Sequence, residues 1–318
     1  MKRNLILLLL LPALFLLSGC ENTMDQGDEA SSPRTFTATI EGGEPATKTL
    51  LENGGATDPR NVLWKDGDVV KIGAAGEYTA GSLSSGDKTA VLTGDGAGKI
   101  GDVYKGYYPK DLYYDATRVN LPQTQYYESP TSGDGNRVVA AHLPMYAESS
   151  TTDLPFKNLC AVLSLKLTGT KTVTRVTVQS SSKALRSYFT VDWNGGNPTM
   201  STTYGSSYGT VTLDCSTRVS GGSVQLSDTP VEFCIAIPPG TYAKNELTVT
   251  VYNGSAVVAK YTNQNAPAGG SVFERSKIYD LTADTDWVKM SATTDGHSVG
   301  GNYADGTTTN LNSTWNKE

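Results

Sequence analysis

Residues 246–262 read ELTVTVYNGSAVVAKYT, and this stretch decides the fold class. Leu247, Val249 and Val251 alternate with Thr248, Thr250 and Tyr252, a period of two that puts apolar side chains on one face of an extended chain. Asn253-Gly254 tolerates the positive φ of a tight turn, and extended residues follow it, so the segment is predicted as a β-hairpin.

The same grammar recurs outward in both directions. RTFTATIE (34–41), NVLWKDGDVVKIG (61–73), KTAVLTG (88–94), VYKGYYP (103–109), AVLSLKLTG (161–169), TRVTVQS (174–180), YFTVDW (188–193), GTVTLDC (209–215), VEFCIAIPP (231–239) and SKIYDLT (276–282) are short β-branched or aromatic runs. Turn pairs such as Asp66-Gly67, Asn194-Gly195 and Pro239-Gly240 separate them. No convincing helical stripe of apolar residues is present, so the expectation is an all-β, antiparallel sandwich protein.

Residues 5–20, LILLLLLPALFLLSGC, follow Lys2-Arg3 and are too short and too abruptly ended for a stable membrane span. They read as a signal peptide over 1–20, with Cys20 of the LSGC box as the acylated mature N-terminus, which implies a lipid-held, exported protein. Residues 21–34 are polar and acidic, a flexible leader. About 280 residues then remain, enough for two domains. A polar stretch before PFKNLCAVLSLKL divides them into 35–153 and 154–284, and residues 285–318 form a Gly/Thr/Asn-rich tail.

The net charge of −6 gives nucleic-acid binding no electrostatic support. After Cys20, only Cys160, Cys215 and Cys234 remain, at most one disulfide and a free thiol, with no zinc-like spacing. Cys160 and Cys234 lie in apolar runs where a cysteine acts as a small hydrophobe.

Motifs for catalysis are thin. GSSYG (205–209) matches a nucleophile elbow around Ser207, but no apolar strand precedes it and no helix follows. GDGAGKIG (94–101) lacks the spacing and the hydroxyl residue of a phosphate loop, and SSSK (180–183) is a low-information match in a Ser-rich chain. With His142 and His297 as the two histidines, a histidine triad or zinc site has little support. The Asp/Gly loops at 66–68, 94–96, 133–135 and 304–306 lack the ordered spacing of a calcium loop and read as turns. Tyr107, Tyr108, Tyr113 and Tyr114 are candidates for stacking on sugar rings, and amphipathic sheet residues are the plainer account. No enzyme activity, cofactor or metal site is expected.

Taken in order, the LSGC box, TFTATIE, Lys48-Thr49, NVLWKDGDVVKI, GYYP, LPQTQ, LPFKNLCAVLSLKL and SKIYDLT resemble the fimbrillin-like proteins, lipoprotein subunits of type V pili in anaerobic bacteria. That resemblance implies two transthyretin-like β-sandwich domains and lipid-dependent export to the outer membrane, with the protein exposed at the cell surface. It further implies proteolytic removal of the first strand, carrying Phe36, Ala38 and Ile40, after which a strand from another subunit fills the groove by β-augmentation. The cut maps onto Lys48, or onto Arg60 if the protease is arginine-specific, and not onto Arg34. In the tail, Val288, Met290 and Ala292 are the candidate donor run, a short one that leaves open a tip or accessory subunit. The implied partners are other pilus subunits, the membrane, and host or bacterial surface ligands. A surface lipoprotein that binds glycans without polymerising is the alternative.

Overall fold

The computed structural model describes residues 34–41, 62–81, 83, 88–127, 143–281 and 288–292. In chain order the strands are β1 (Arg34–Ile40), β2 (Val69–Ile72), β3 (Gly76–Gly81), β4 (Thr89–Asp95), β5 (Tyr104–Tyr108), β6 (Tyr113–Asp115), β7 (Arg118–Leu121), β8 (Thr124–Tyr126), β9 (Met145–Ser149) and β10 (Asp153–Asn158). They continue as β11 (Ala161–Leu167), β12 (Thr172–Val173), β13 (Arg175–Ser180), β14 (Ser187–Asn194), β15 (Asn197–Ser201), β16 (Thr210–Asp214) and β17 (Val224–Gln225). The last are β18 (Val231–Ile237), β19 (Gly240–Tyr242), β20 (Leu247–Asn253), β21 (Ala256–Thr262), β22 (Ser271–Phe273), β23 (Ile278–Asp280) and β24 (Val288–Ala292). Two 3₁₀ turns, Lys110–Leu112 and Ser206–Tyr208, are the helical segments among the described residues, which are otherwise strand, turn and loop.

The hairpin of 246–262 forms as β20 and β21, with Asn253 opposite Ala256 and Gly254 at a φ of 60°. β20 and β21 are neighbours in a six-stranded sheet ordered β24-β21-β20-β13-β16-β8. Val176, Val178, Val211, Leu213, Val249 and Val251 of that sheet share a buried cluster with Leu163, Leu165, Phe233 and Ile235 of β11 and β18.

The other main element is a closed barrel in the order β1-β10-β9-β5-β2-β3-β4. Its closing member is the first strand. β1 runs antiparallel to β4, with Phe36 opposite Leu92 and Ala38 opposite Ala90. On its other side it runs parallel to β10, with Ala38 beside Leu154 and Ile40 beside Phe156. The period of two in RTFTATIE explains the result: Phe36, Ala38 and Ile40 point inward at 0, 0 and 3% exposure, and Thr35, Thr37 and Thr39 take the other face.

Rings fill the barrel core edge to face. Phe36 meets Tyr78 and Tyr104, each at a centroid distance of 5.0 Å, and Trp64 meets Tyr108 at 5.1 Å and Phe156 at 5.2 Å. Gly106 of β5 is required here, because a Cβ at that position would stand 2.7 Å from the Phe156 ring.

The stretch between barrel strands β5 and β9 reaches out of the barrel. β7 pairs with β6 and with β14, and β8 runs parallel to β16, so residues 118–126 hydrogen-bond with strands drawn from residues after 161. The division expected at residue 153 falls at the first residue of β10, which pairs with β1 and β9.

Phe36→Ala is expected to lower unfolding stability by about 3–5 kcal/mol, the usual cost of deleting a fully buried ring. Val91→Ala on neighbouring β4, where Val91 is 49% exposed, should shift it by under about 0.5 kcal/mol. Urea denaturation of the two variants beside the parent checks the contrast.

Candidate functional site

β1 and the seam that holds it form the most distinctive site. At its start, the Arg34 guanidinium donates to the Tyr104 hydroxyl and lies 6.0 Å from that ring's centroid. Arg34 therefore belongs to the strand, opposite Gly94 of β4. Along the strand, Thr37 N–H donates to the Thr152 carbonyl at 3.0 Å and Ile40 N–H to the Lys88 carbonyl at 2.8 Å.

A polar cluster lies where β1 ends. Glu41 N–H donates to the Phe156 carbonyl at 2.9 Å, continuing the ladder with β10 by one residue. The Glu41 carboxylate then accepts from several donors. Arg275 Nη1 reaches Oε1 at 2.6 Å and Oε2 at 2.9 Å, the Asn158 N–H reaches Oε1 at 2.8 Å, and the Ser276 hydroxyl donates to Oε1. Arg275 also donates to the Asn158 carbonyl at 3.2 Å and to Asn197 Oδ1 at 3.2 Å, which aims its guanidinium. The Glu41 and Arg275 side chains are only 12% and 22% exposed, so little water screens the pair. Ser276 adopts a φ of 60°, unusual for a residue with a Cβ, and its N–H donates to the Cys160 carbonyl at 2.9 Å. The Asn158 side-chain amide is buried, and neither its nitrogen nor its oxygen has a partner among the described residues.

The candidate donor segment is itself a strand. β24 lies at the edge of the six-stranded sheet, antiparallel to β21, with Val288 opposite Thr262 and Ala292 opposite Ala259. Cys20, Lys48 and Arg60 lie outside the described residues, as do the signal peptide, nearly all of the leader, His142, His297 and the tail beyond Ala292.

The tyrosine cluster is split by the barrel wall. Tyr107 and Tyr108 are 0% and 2% exposed; the Tyr107 hydroxyl donates to the Ala116 carbonyl and the Tyr108 hydroxyl to Asp68 Oδ1, each at 2.8 Å. Burial pushes the Tyr107 phenol well above its ordinary range. Neither offers a ring face to a ligand. Tyr113 is half-buried against Tyr107 at 4.9 Å, and Tyr114 is 47% exposed.

Tyr114 instead belongs to a row of rings that the sequence hides, because its members come from distant segments. Tyr114 and Tyr188 are 4.2 Å apart, Tyr188 and Tyr204 6.3 Å, and Tyr204 and Tyr208 4.6 Å. Arg118 lies 4.7 Å from the Tyr114 centroid and Arg186 5.0 Å from that of Tyr208. Phe189 and Val191 of β14 are buried against the barrel core, which turns Tyr188 and Thr190 outward beside Asn120 and Arg118 of β7.

The remaining motifs take up structural work. Ser207 is exposed within the 3₁₀ turn Ser206–Tyr208. Ser180 donates to Glu246 Oε1 at 2.9 Å, while Lys183 reaches the Thr241 carbonyl. Burial would raise the Glu246 carboxyl, but hydrogen bonds from Ser182, Ala243 N–H and Ser180 outweigh it and hold its pKa below the ordinary value. The Asp66-Gly67-Asp68 turn is closed by Lys65 N–H donating to Asp68 at 2.7 Å. Burial raises the Asp68 pKa, opposed by the Lys65 amide and Tyr108 hydroxyl. Cys160 and Cys215 are buried free thiols, and no group of three or more potential metal ligands occurs among the described residues.

No protein-family model matches the chain, and no curated protein does. Among solved structures, a candidate cell adhesion protein from Bacteroides ovatus ATCC 8483 aligns with a TM-score of 0.41 and 11% identity, over 79% of this chain and 92% of its own. A second, from Bacteroides uniformis ATCC 8492, gives 0.40 and 12%, over 78% and 91%. A third, from Bacteroides thetaiotaomicron VPI-5482, gives 0.34 and 12%, also over 78% and 91%. Likeness at this level assigns no residue a role.

Proposed function

We propose that the protein is a structural and adhesive subunit of a surface fimbria, without enzymatic activity, built on the two transthyretin-like sandwiches of the fimbrillin-like plan. In this reading Cys20 carries lipid at the outer membrane, a cut at Lys48 or Arg60 frees the first strand, and a strand from another subunit replaces it. Other subunits, the membrane and surface ligands of host or neighbouring bacteria are its partners.

One observation carries the reading. β1 closes a barrel by itself, between a parallel and an antiparallel neighbour, while contributing three buried apolar side chains. Lys48 and Arg60 stand after it in sequence and before β2, so a cut at either leaves β1 attached to the barrel through non-covalent contacts alone. Burying Phe36 and Ile40 contributes about 1.5–3 kcal/mol each. Against a net domain stability of about 5–15 kcal/mol, an empty groove is a poor resting state, and a replacement strand has a large gain to make. The short edge strand β24 supplies a run for donation, though donating it would uncover β21.

Limited trypsin treatment of the chain from residue 21 onward is expected to give a discrete cut at Lys48 or Arg60 and then a ladder of multimers. Intact monomer after cutting, or fibres sheared from cells that all begin at Cys20, would end this reading.

The row Tyr114–Tyr188–Tyr204–Tyr208 favours a second reading, a surface lipoprotein that binds glycans. Tyrosine rings with hydroxyl and amide neighbours suit the mixed apolar and polar faces of a sugar. Tyr204→Ala, at an exposed ring outside the buried clusters, is expected to reduce glycan-array signals at least tenfold with no change in stability. Unchanged signals would remove this second reading.

A further inference from the structure

Three donors of different origin converge on the Glu41 carboxylate: the Arg275 guanidinium, the Ser276 hydroxyl and the Asn158 amide N–H. All three belong to the body of the protein, and the carboxylate alone belongs to the segment that ends β1. When β1 leaves, what remains is an anion socket at the end of an apolar groove. From this geometry we infer that the socket reads the sequence of the strand that occupies the groove: it selects a strand from another subunit in which the third alternate apolar residue is followed at once by Asp or Glu. This inference rests on the strand-exchange reading above.

The spacing follows from the register. Phe36, Ala38 and Ile40 fill the inward positions, and Ile40 lies beside Phe156 of β10. The next residue, Glu41, bonds to the Phe156 carbonyl through its own N–H, which fixes where its side chain starts. A strand running in the same direction with the same register presents its following residue to Arg275. A neutral residue there leaves the guanidinium, 22% exposed, without the carboxylate whose two oxygens Nη1 contacts. A residue with no side-chain oxygen also withdraws the acceptor from the Asn158 backbone N–H, in a residue whose side-chain amide already lacks a partner among the described residues.

Charge complementarity therefore speaks against the chain's own terminal run as the occupant. Val288, Met290 and Ala292 provide the alternation, but Thr293 follows directly, and the first acidic residue is Asp295. The occupant fitted by the socket is a strand of another protein with the pattern apolar-x-apolar-x-apolar-acidic, as in Phe36-Thr37-Ala38-Thr39-Ile40-Glu41. Selection by a charge that is solvated when free and paired when bound acts against wrong strands as well as for right ones.

The test uses the full mature chain, cut by trypsin with the protease then inactivated. Fluorescent peptides of residues 34–43, one native and one with Glu41→Gln, are exchanged into it, and binding is read by anisotropy. The native peptide is expected to bind at least tenfold more tightly. In the Arg275→Glu protein, the preference should invert in favour of a Glu41→Lys peptide, which excludes general loss of folding as the cause. Equal binding of the native and Glu41→Gln peptides would overturn the socket while leaving strand exchange standing. Binding of neither would overturn both.

Discussion

β1 closes the barrel, and both the edges and the interior of that barrel need it. A sheet ordered β10-β9-β5-β2-β3-β4 has two edges, and one seven-residue strand satisfies both. The backbone of β1 bridges edges of opposite polarity, parallel to β10 and antiparallel to β4. Its side chains complete the interior at the same time: Phe36 stands edge-on to both Tyr78 and Tyr104, so the aromatic packing of β3 and β5 is organised around a ring from β1. Hydrogen bonding and core packing here are one constraint, because the strand that seals the edges also fills the centre.

The polar end of β1 adds position to that closure. Apolar burial alone is compatible with a strand that slides by two residues, since a two-residue shift keeps the same face inward. The Glu41 carboxylate, held by Arg275, Ser276 and Asn158, removes that freedom. It also joins a segment near the start of the folded chain to one near its end, 234 residues away in sequence. In the strand-exchange reading proposed above, a cut in the link between β1 and β2, at Lys48 or Arg60, is what would release this closure.

Much of this was legible in the residues, and the failures have physical causes. The hairpin of 246–262 and the alternation of RTFTATIE were readable because period-two patterning is local and a half-buried strand enforces it. β10 was harder: Asp153-Leu154-Pro155-Phe156 sits just before a longer apolar run, and its bonding to β1 depends on residues more than 100 positions away. β7 and β8 are four and three residues long, too short for periodicity to mark. Tyr107 and Tyr108 fit either sugar-stacking rings or amphipathic sheet residues in sequence, and the second holds for their burial: Tyr113 and the Ala116 carbonyl cover one and Asp68 takes the hydroxyl of the other. The ring row and the Arg275 socket had no local signal, since each assembles from separate segments.

Hydrogen exchange read by mass spectrometry, before and after the cut chain is challenged with excess competing strand, shows whether β1 can be replaced. If β1 is a replaceable closure, amides of β4 and β10 stay protected while any strand fills the groove and lose protection selectively when the β1 fragment departs unreplaced. Loss of protection through the whole barrel at once, or unchanged protection in β4 and β10 after the fragment has gone, would contradict it.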